Sequence, residues 1–147
     1  VSIEACLSTG KDDWETPDAL FQRYDADYKF DLDAAANETN HKCDVWLGPG
    51  GIAEDALTVD WLDYAAGSVW LNPPYSRGLQ SRFVEKAASY SGELIVVCLL
   101  PSRTDTVMFH KYVYENHHAE VTFLKGRVRF KGAPASAPFP SMIVVFS

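Results

Sequence analysis

The apolar run Ser68-Val69-Trp70-Leu71 stops at Asn72-Pro73-Pro74-Tyr75, and a helical pattern follows at Leu79, Phe83 and Ala87, with Val84 and Ala88 beside them. Two successive prolines rule out both a continuing inner strand and a helix at this point. Each lacks an N–H, holds φ near about −65° and disfavours helical geometry in the residue before it. The stretch therefore predicts a buried strand, a rigid loop and a helix in direct succession, the unit of an α/β crossover.

The rest of the chain repeats that alternation. Apolar runs bounded by turn signals occur at residues 28–32, 45–47, 94–100, 121–124 continuing to 130, and 142–146. Several are short and rich in β-branched or aromatic residues, as buried strands are. Thr16 is placed to N-cap a helix with Pro17 at its first position, running on to Tyr24, while residues 78–90 and 105–116 form two further helical candidates, the last capped by Thr104 or Asp105. The Pro/Ala-rich stretch 132–140 reads as a long connection between the last two strands. The expected fold is α/β, a mainly parallel sheet ending in an antiparallel β-hairpin. With 147 residues and 47% hydrophobic content, the expectation is an N-terminal extension over residues 1–13 and a single domain over 14–147.

No run of eighteen or more apolar residues occurs, the first fourteen residues are polar and mixed in charge, and three cysteines (Cys6, Cys43, Cys98) make no even framework, so a cytosolic chain is expected. The four histidines (His41, His110, His117, His118) share no ligand-like spacing, and no metal is predicted. No Gly-x-Ser-x-Gly elbow supports a hydrolase. The net charge of −7 is unevenly spread: residues 1–75 carry 4 Lys/Arg against 15 Asp/Glu, or −11, and residues 76–147 carry 9 against 5, or +4. The basic half includes Lys125, Arg127, Arg129 and Lys131 around Val128 and Phe130, a pattern suited to phosphates and equally to a solvated edge strand.

Asn-Pro-Pro-Tyr at a strand end suits one chemistry, methyl transfer to an exocyclic or amide nitrogen, although the same dipeptides also serve as turn punctuation. Such a nitrogen is a poor nucleophile because its lone pair is delocalised into the neighbouring π-system. The Asn72 side-chain oxygen and a carbonyl held by Pro73 and Pro74 can accept both N–H protons and localise that pair, while Tyr75 stacks on the planar substrate.

A nucleoside-bearing donor such as S-adenosylmethionine needs small residues and carboxylates at strand ends. Phe30-Asp31-Leu32-Asp33-Ala34-Ala35-Ala36 offers these without the usual glycine-rich turn, and its acids read equally as solvated strand ends. Asp55-Ala56-Leu57, with Asp60 nearby, is a second candidate, also readable as a capping loop. Thr16-Pro17 is the third, where a helix N-terminus could receive the donor's carboxylate. Leu99-Leu100-Pro101-Ser102-Arg103-Thr104-Asp105-Thr106 leaves the longest apolar run, and Arg103 there could hold a phosphate or pair with Asp105.

In order, Trp14-x-Thr16-Pro17, Phe30 to Ala35, Asp55-Ala56-Leu57, Trp70 to Ser76, Leu99 to Thr106, Gly126-Arg127-Val128-Arg129-Phe130 and Pro138-Phe139-Pro140-Ser141-Met142 resemble the phage-type DNA N6-adenine methyltransferase family, the Dam-like enzymes of phages and prophages. Asn-Pro-Pro-Tyr alone is shared with RNA adenine and protein glutamine methyltransferases; the ordered set is specific. The resemblance implies a Rossmann-like, class I S-adenosylmethionine-dependent fold acting on N6 of a flipped adenine in double-stranded DNA. It implies Asn72, Pro73, Pro74 and Tyr75 as the catalytic motif. Thr16, Pro17, Asp31, Asp33, Ala34, Ala35, Asp55, Ala56 and Leu57 become donor-side residues, with Asp55 toward the donor's adenine. Ser76, Arg77, Arg103, Thr104, Arg127 and Arg129 become DNA-side residues, with the acidic half turned away from DNA. Shielding of phage DNA from host restriction is the purpose it suggests. Methylation of a protein glutamine or an RNA adenine, and a non-catalytic methyltransferase-like binding module, are the rivals.

Overall fold

Alternation in the three inner strands of the sheet decides the architecture. In the computed structural model, which describes residues 14–76 and 78–147, strands β1 (Leu32–Asp33), β2 (Ser68–Leu71), β3 (Ile95–Pro101), β4 (Ala119–Phe123) and β5 (Ser141–Phe146) form one sheet in the order β1-β2-β3-β5-β4. Val69, Leu71, Val96, Cys98, Leu100, Met142, Val144 and Phe146 belong to one apolar cluster, and Trp70, Val97, Leu99 and Ile143 to another. Because successive side chains of a strand point to opposite faces, the period-two split means that both faces of the sheet are covered.

Helix α1 (Asp18–Tyr28) covers the Trp70 face through Phe21, whose ring meets Trp70 edge-on at 5.4 Å. Helix α2 (Leu79–Ser89) covers the other face with Phe83, Val84 and Ala87, joined there by Phe109 and Val113 of a short π-helix (Phe109–Tyr114). Full burial of side chains of this size stabilises the fold by about 1.5–3 kcal/mol each before ordering costs.

β1, β2 and β3 pair in parallel, and β5 pairs antiparallel with both β3 and β4. Four strands therefore run one way and β5 alone runs against them. The closing hairpin inserts its second strand beside β3, so parallel and antiparallel ladders are equal in number among the described residues. Beyond β1 the sheet continues only as the isolated bridges Asp33–Trp46 and Leu47–Ala53.

Four expected boundaries differ. The apolar run at 28–32 does not start a strand at Tyr28, because α1 runs through Tyr28 and ends only where Lys29 turns left-handed at φ 51°. Thr16 does not cap α1: Pro17 holds the N-cap position without a side-chain bond. The run from Val121 stops as a strand at Phe123, since Gly126 at φ +77° turns the chain, and residues 125–131 continue outside the sheet. The third helix is shorter than 105–116; Thr106, rather than Thr104 or Asp105, accepts an early amide, from Phe109 at 3.2 Å. Residues 1–13, with Cys6, lie outside the described residues, and Cys43 and Cys98 are free thiols. Among the described residues no helix is long and apolar enough to cross a membrane.

Candidate active site

β1 and β2 are neighbouring parallel strands, so Asp33 and Asn72 leave the sheet at the same edge. A cleft of about 450 Å³ opens there, lined by Thr16, Asp33, Ala34, Ala35, Asp55, Ala56, Leu57, Asn72 and Pro74 among others. Ligands in open α/β sheets bind outside the carboxyl ends of strands, and the volume falls within the about 300–1,000 Å³ of small-molecule sites. Segments far apart in sequence (residues 16, 33–35, 55–57, and 72 with 74) thus meet in one place.

The Asn72 amide is fixed by its surroundings. Its Nδ2 donates to the Trp14 carbonyl at 2.5 Å and to Thr16 Oγ1 at 3.0 Å. A carbonyl can only accept, so the nitrogen must face Trp14 and the oxygen must face the other way. Asn72 Oδ1 is buried and has no hydrogen-bond partner among the described residues. A buried unsatisfied acceptor costs about 1–3 kcal/mol and calls for a donor. Among the described residues no backbone amide donates to the Pro73 carbonyl either.

Asp33, fully buried at the end of β1, accepts from Lys42 N at 2.9 Å and from Ala35 N at 3.3 Å. Burial pushes its carboxyl up to about 7, against the opposing pull of those two amides. Asp55 stands at the exposed rim and caps Leu57 N at 2.9 Å.

Two expected donor-side residues lie elsewhere. Asp31 sits at the opposite, amino end of β2, where its Oδ2 accepts from Gly67 N at 2.8 Å and Ser68 N at 3.2 Å, a structural cap on the strand. Pro17 opens α1 and is not in the cleft lining.

Tyr75 is also placed differently from expectation. Its ring packs among Trp14, Phe130 and Phe139 at centroid distances of 6.5, 6.1 and 5.5 Å, and its hydroxyl donates to the Leu99 carbonyl at 3.3 Å. Burial raises its phenol well above the ordinary value. Its face is covered by other rings in this conformation.

The expected DNA-side residues that are described stand at or near the surface. Arg103 and Thr104 are exposed; the Arg103 guanidinium leans on the Phe139 ring at 6.0 Å, and among the described residues no ion pair joins it to Asp105. Arg127 and Arg129 are exposed and, among the described residues, bond to the loop carbonyls of Ala137 and Pro134. Ser76 is half-buried beside the motif, and Arg77 lies outside the described residues. Two acids of the first half, Glu15 and Asp18, pair with Lys131 instead of turning away from the basic strip.

Sequence reasoning missed Gly48. It lines the cleft at φ +135°, and a Cβ there would come within 1.8 Å of the Ala36 carbonyl oxygen. The glycine needed for close backbone approach comes from the Gly48-Pro49-Gly50-Gly51 loop, not from the turn after β1. Lys42 was missed too; it reaches the cleft by way of the loop after β1.

A family model described as "DNA N-6-adenine-methyltransferase (Dam)" matches residues 5–145. The chain belongs to this family. Within it, the DNA N-6-adenine-methyltransferase of Haemophilus phage HP1 (strain HP1c1) is 40% identical over 84 residues, covering 55% of this chain and 43% of that protein. The DNA N-6-adenine-methyltransferase of Escherichia phage T1 is 34% identical over 103 residues, covering 67% of this chain and 40% of that protein. The chain thus spans about two-fifths of the length of each of these relatives.

Proposed function

We propose that this chain is an S-adenosylmethionine-dependent DNA adenine-N6 methyltransferase acting on an adenine turned out of double-stranded DNA. The observation that carries the reading is the Asn72 amide, pinned through its nitrogen and left with a buried, unanswered oxygen at the rim of a ligand-sized cleft. Family membership points the same way.

The cleft residues fit the donor. Ala34, Ala35, Ala56, Leu57, Leu79 and Phe83 supply an apolar floor for a flat purine, and Asp33 and Asp55 supply acceptors for hydroxyl and amine donors. When bound, S-adenosylmethionine brings a methyl group already activated by a sulfonium charge. The protein's work is placement. Asn72 Oδ1 and the Pro73 carbonyl accept the two N6 protons, which favours a more tetrahedral nitrogen with its lone pair directed away from the ring. Pro73 and Pro74 hold these acceptors in position before the substrate arrives, so little reorganisation accompanies reaction. Tyr75 stacks on the base once its covering rings part. Arg103, Thr104, Arg127 and Arg129, with Ser76 and Arg77 next to the motif in sequence, are assigned to the DNA backbone.

The sheet, with four co-directional strands and an opposed β5 between β3 and β4, supports a Rossmann-like class I reading over a single domain at 14–147. Transfer of a tritiated methyl group, with duplex DNA, RNA and protein offered separately, tests the proposal. Label in DNA is expected. Label confined to protein would favour glutamine methylation, and no label in any acceptor would favour a binding module.

A further inference from the structure

Residues 14–18 form a strap across the mouth of the Asn72 motif, held at three levels. The Asn72 amide nitrogen grips Trp14 O and Thr16 Oγ1 from below. Lys131 N donates to the Glu15 carbonyl at 2.9 Å from the side. Above, Glu15 and Asp18 share two lysines: Lys42 at 3.5 and 2.8 Å, and Lys131 at 3.5 and 3.3 Å. The strap sets the Trp14 indole against Tyr75 at an interplanar angle of 27°, with Phe130 at 5.2 Å and Phe139 at 5.4 Å closing the group. Trp14 thus sets a planar ring against Tyr75, where a flipped adenine would stack, while its carbonyl takes the Asn72 nitrogen and leaves Asn72 Oδ1 open. Phe130, at 2% exposure, belongs to the core, whereas Trp14 is half-buried.

We propose that the Trp14 indole fills the stacking place of the target base in the DNA-free protein and swings away from Tyr75 when backbone phosphate takes Lys131 away from Glu15 and Asp18, while Thr16 Oγ1 keeps its hold on the Asn72 nitrogen. This rests on the reading of Asn72 to Tyr75 as the base pocket of a DNA methyltransferase. The two lysines of the latch differ in access: the Lys42 side chain is 9% exposed and that of Lys131 is 54% exposed. Lys131 also continues the exposed basic strip of Arg127 and Arg129, where duplex DNA would lie. A phosphate there offers Lys131 a stronger anion than a shared carboxylate and repels Glu15 and Asp18 at the same time. Electrostatic attraction and strap opening are then one event, and the base pocket stays filled until DNA is present.

The test uses the full chain labelled with fluorotryptophan, whose four tryptophan signals include one assigned to residue 14 through Trp14→Phe. Fluorine NMR is recorded with no DNA, with a duplex of G·C pairs only, and with an adenine-containing duplex, each saturating by fluorescence anisotropy. Both duplexes should move the Trp14 signal to the solvent-exposed position and leave those of Trp46, Trp61 and Trp70 in place. The double variant Glu15→Gln/Asp18→Asn and the single variant Lys131→Ala should each show the exposed signal without DNA, and neither should move further on addition of the G·C duplex or inorganic phosphate. A Trp14 signal unmoved by a bound duplex that is being methylated overturns the proposal, as does release by the adenine duplex alone. Absence of methyl transfer from a sample whose Trp14 signal does move would instead sink the functional reading while leaving the strap intact.

Discussion

Asn72→Ala separates what the amide does for the fold from what it does for transfer. In the folded protein the side chain makes two donor contacts, to Trp14 O and Thr16 Oγ1, and leaves one acceptor unanswered. Truncation strands the Trp14 carbonyl, a loss of about 1–3 kcal/mol, and relieves the buried orphan oxygen, a gain of similar size. Net stability should therefore change by no more than roughly 2 kcal/mol. The effect on transfer has no such offset. Loss of one preorganised hydrogen-bonding group at a reacting centre costs about 10²–10³ in rate, or about 2.7–4 kcal/mol, and here the group also positions the nitrogen. Single-turnover methyl transfer at saturating donor and duplex, beside urea unfolding of the same preparation, measures both. Donor affinity by calorimetry should hold within a few-fold, because Asn72 meets only the rim of the donor cleft. Transfer within threefold of the parent rate would refute the assignment of Asn72 Oδ1 as the acceptor of an N6 proton.

Three further outcomes follow from the geometry. Tyr75→Phe removes one hydroxyl contact to Leu99 O and should lose at most about 1 kcal/mol of stability while retaining transfer, whereas Tyr75→Ala opens the four-ring cluster and should lose about 3–5 kcal/mol; equal urea midpoints for the two variants would contradict the packing role. Asp33 holds its proton more tightly folded, near 7, than in the unfolded chain, near 3.8, so its burial lowers stability as pH rises between those values, by an amount on the order of 4 kcal/mol in total. Denaturation midpoints of the parent minus those of Asp33→Asn should accordingly fall from pH 4 to pH 7 and level off above; a difference independent of pH would contradict the assignment. Gly48→Ala, with its Cβ driven onto Ala36 O, should lose on the order of 3 kcal/mol and weaken donor binding, and an unchanged unfolding midpoint would contradict the close approach.

The loop at Asn72 to Tyr75 and the longer strands were legible because they rest on local signals. Two prolines after an apolar run fix a loop whatever the remainder of the chain does, and β3 and β5 have enough β-branched residues to declare themselves. Two-residue β1 has no such signal: its strand character comes from pairing with Val69 and Trp70, and the helix before it borrows Tyr28 from the apolar run. The donor side was readable as a set of segments but not residue by residue. Asp31 precedes β1 and Asp33 ends it, so one carboxylate ties Gly67 and Ser68 at the amino end of β2 while the other is buried at the cleft, a distinction that depends on where the neighbouring strand begins. Gly48 escaped notice because its requirement is a contact with Ala36, twelve positions earlier in the sequence and next to it only after folding. The position of Tyr75 was hidden for the same reason, since its ring partners come from residues 14, 130 and 139.

The central claim is that this cleft methylates the exocyclic nitrogen of adenine in DNA. Duplex DNA incubated with the protein and labelled S-adenosylmethionine, then digested to nucleosides and separated, tests it most directly. All label should migrate as N6-methyldeoxyadenosine and should vanish with Asn72→Ala; label on deoxycytidine, or label in adenine that survives the substitution, would contradict the account.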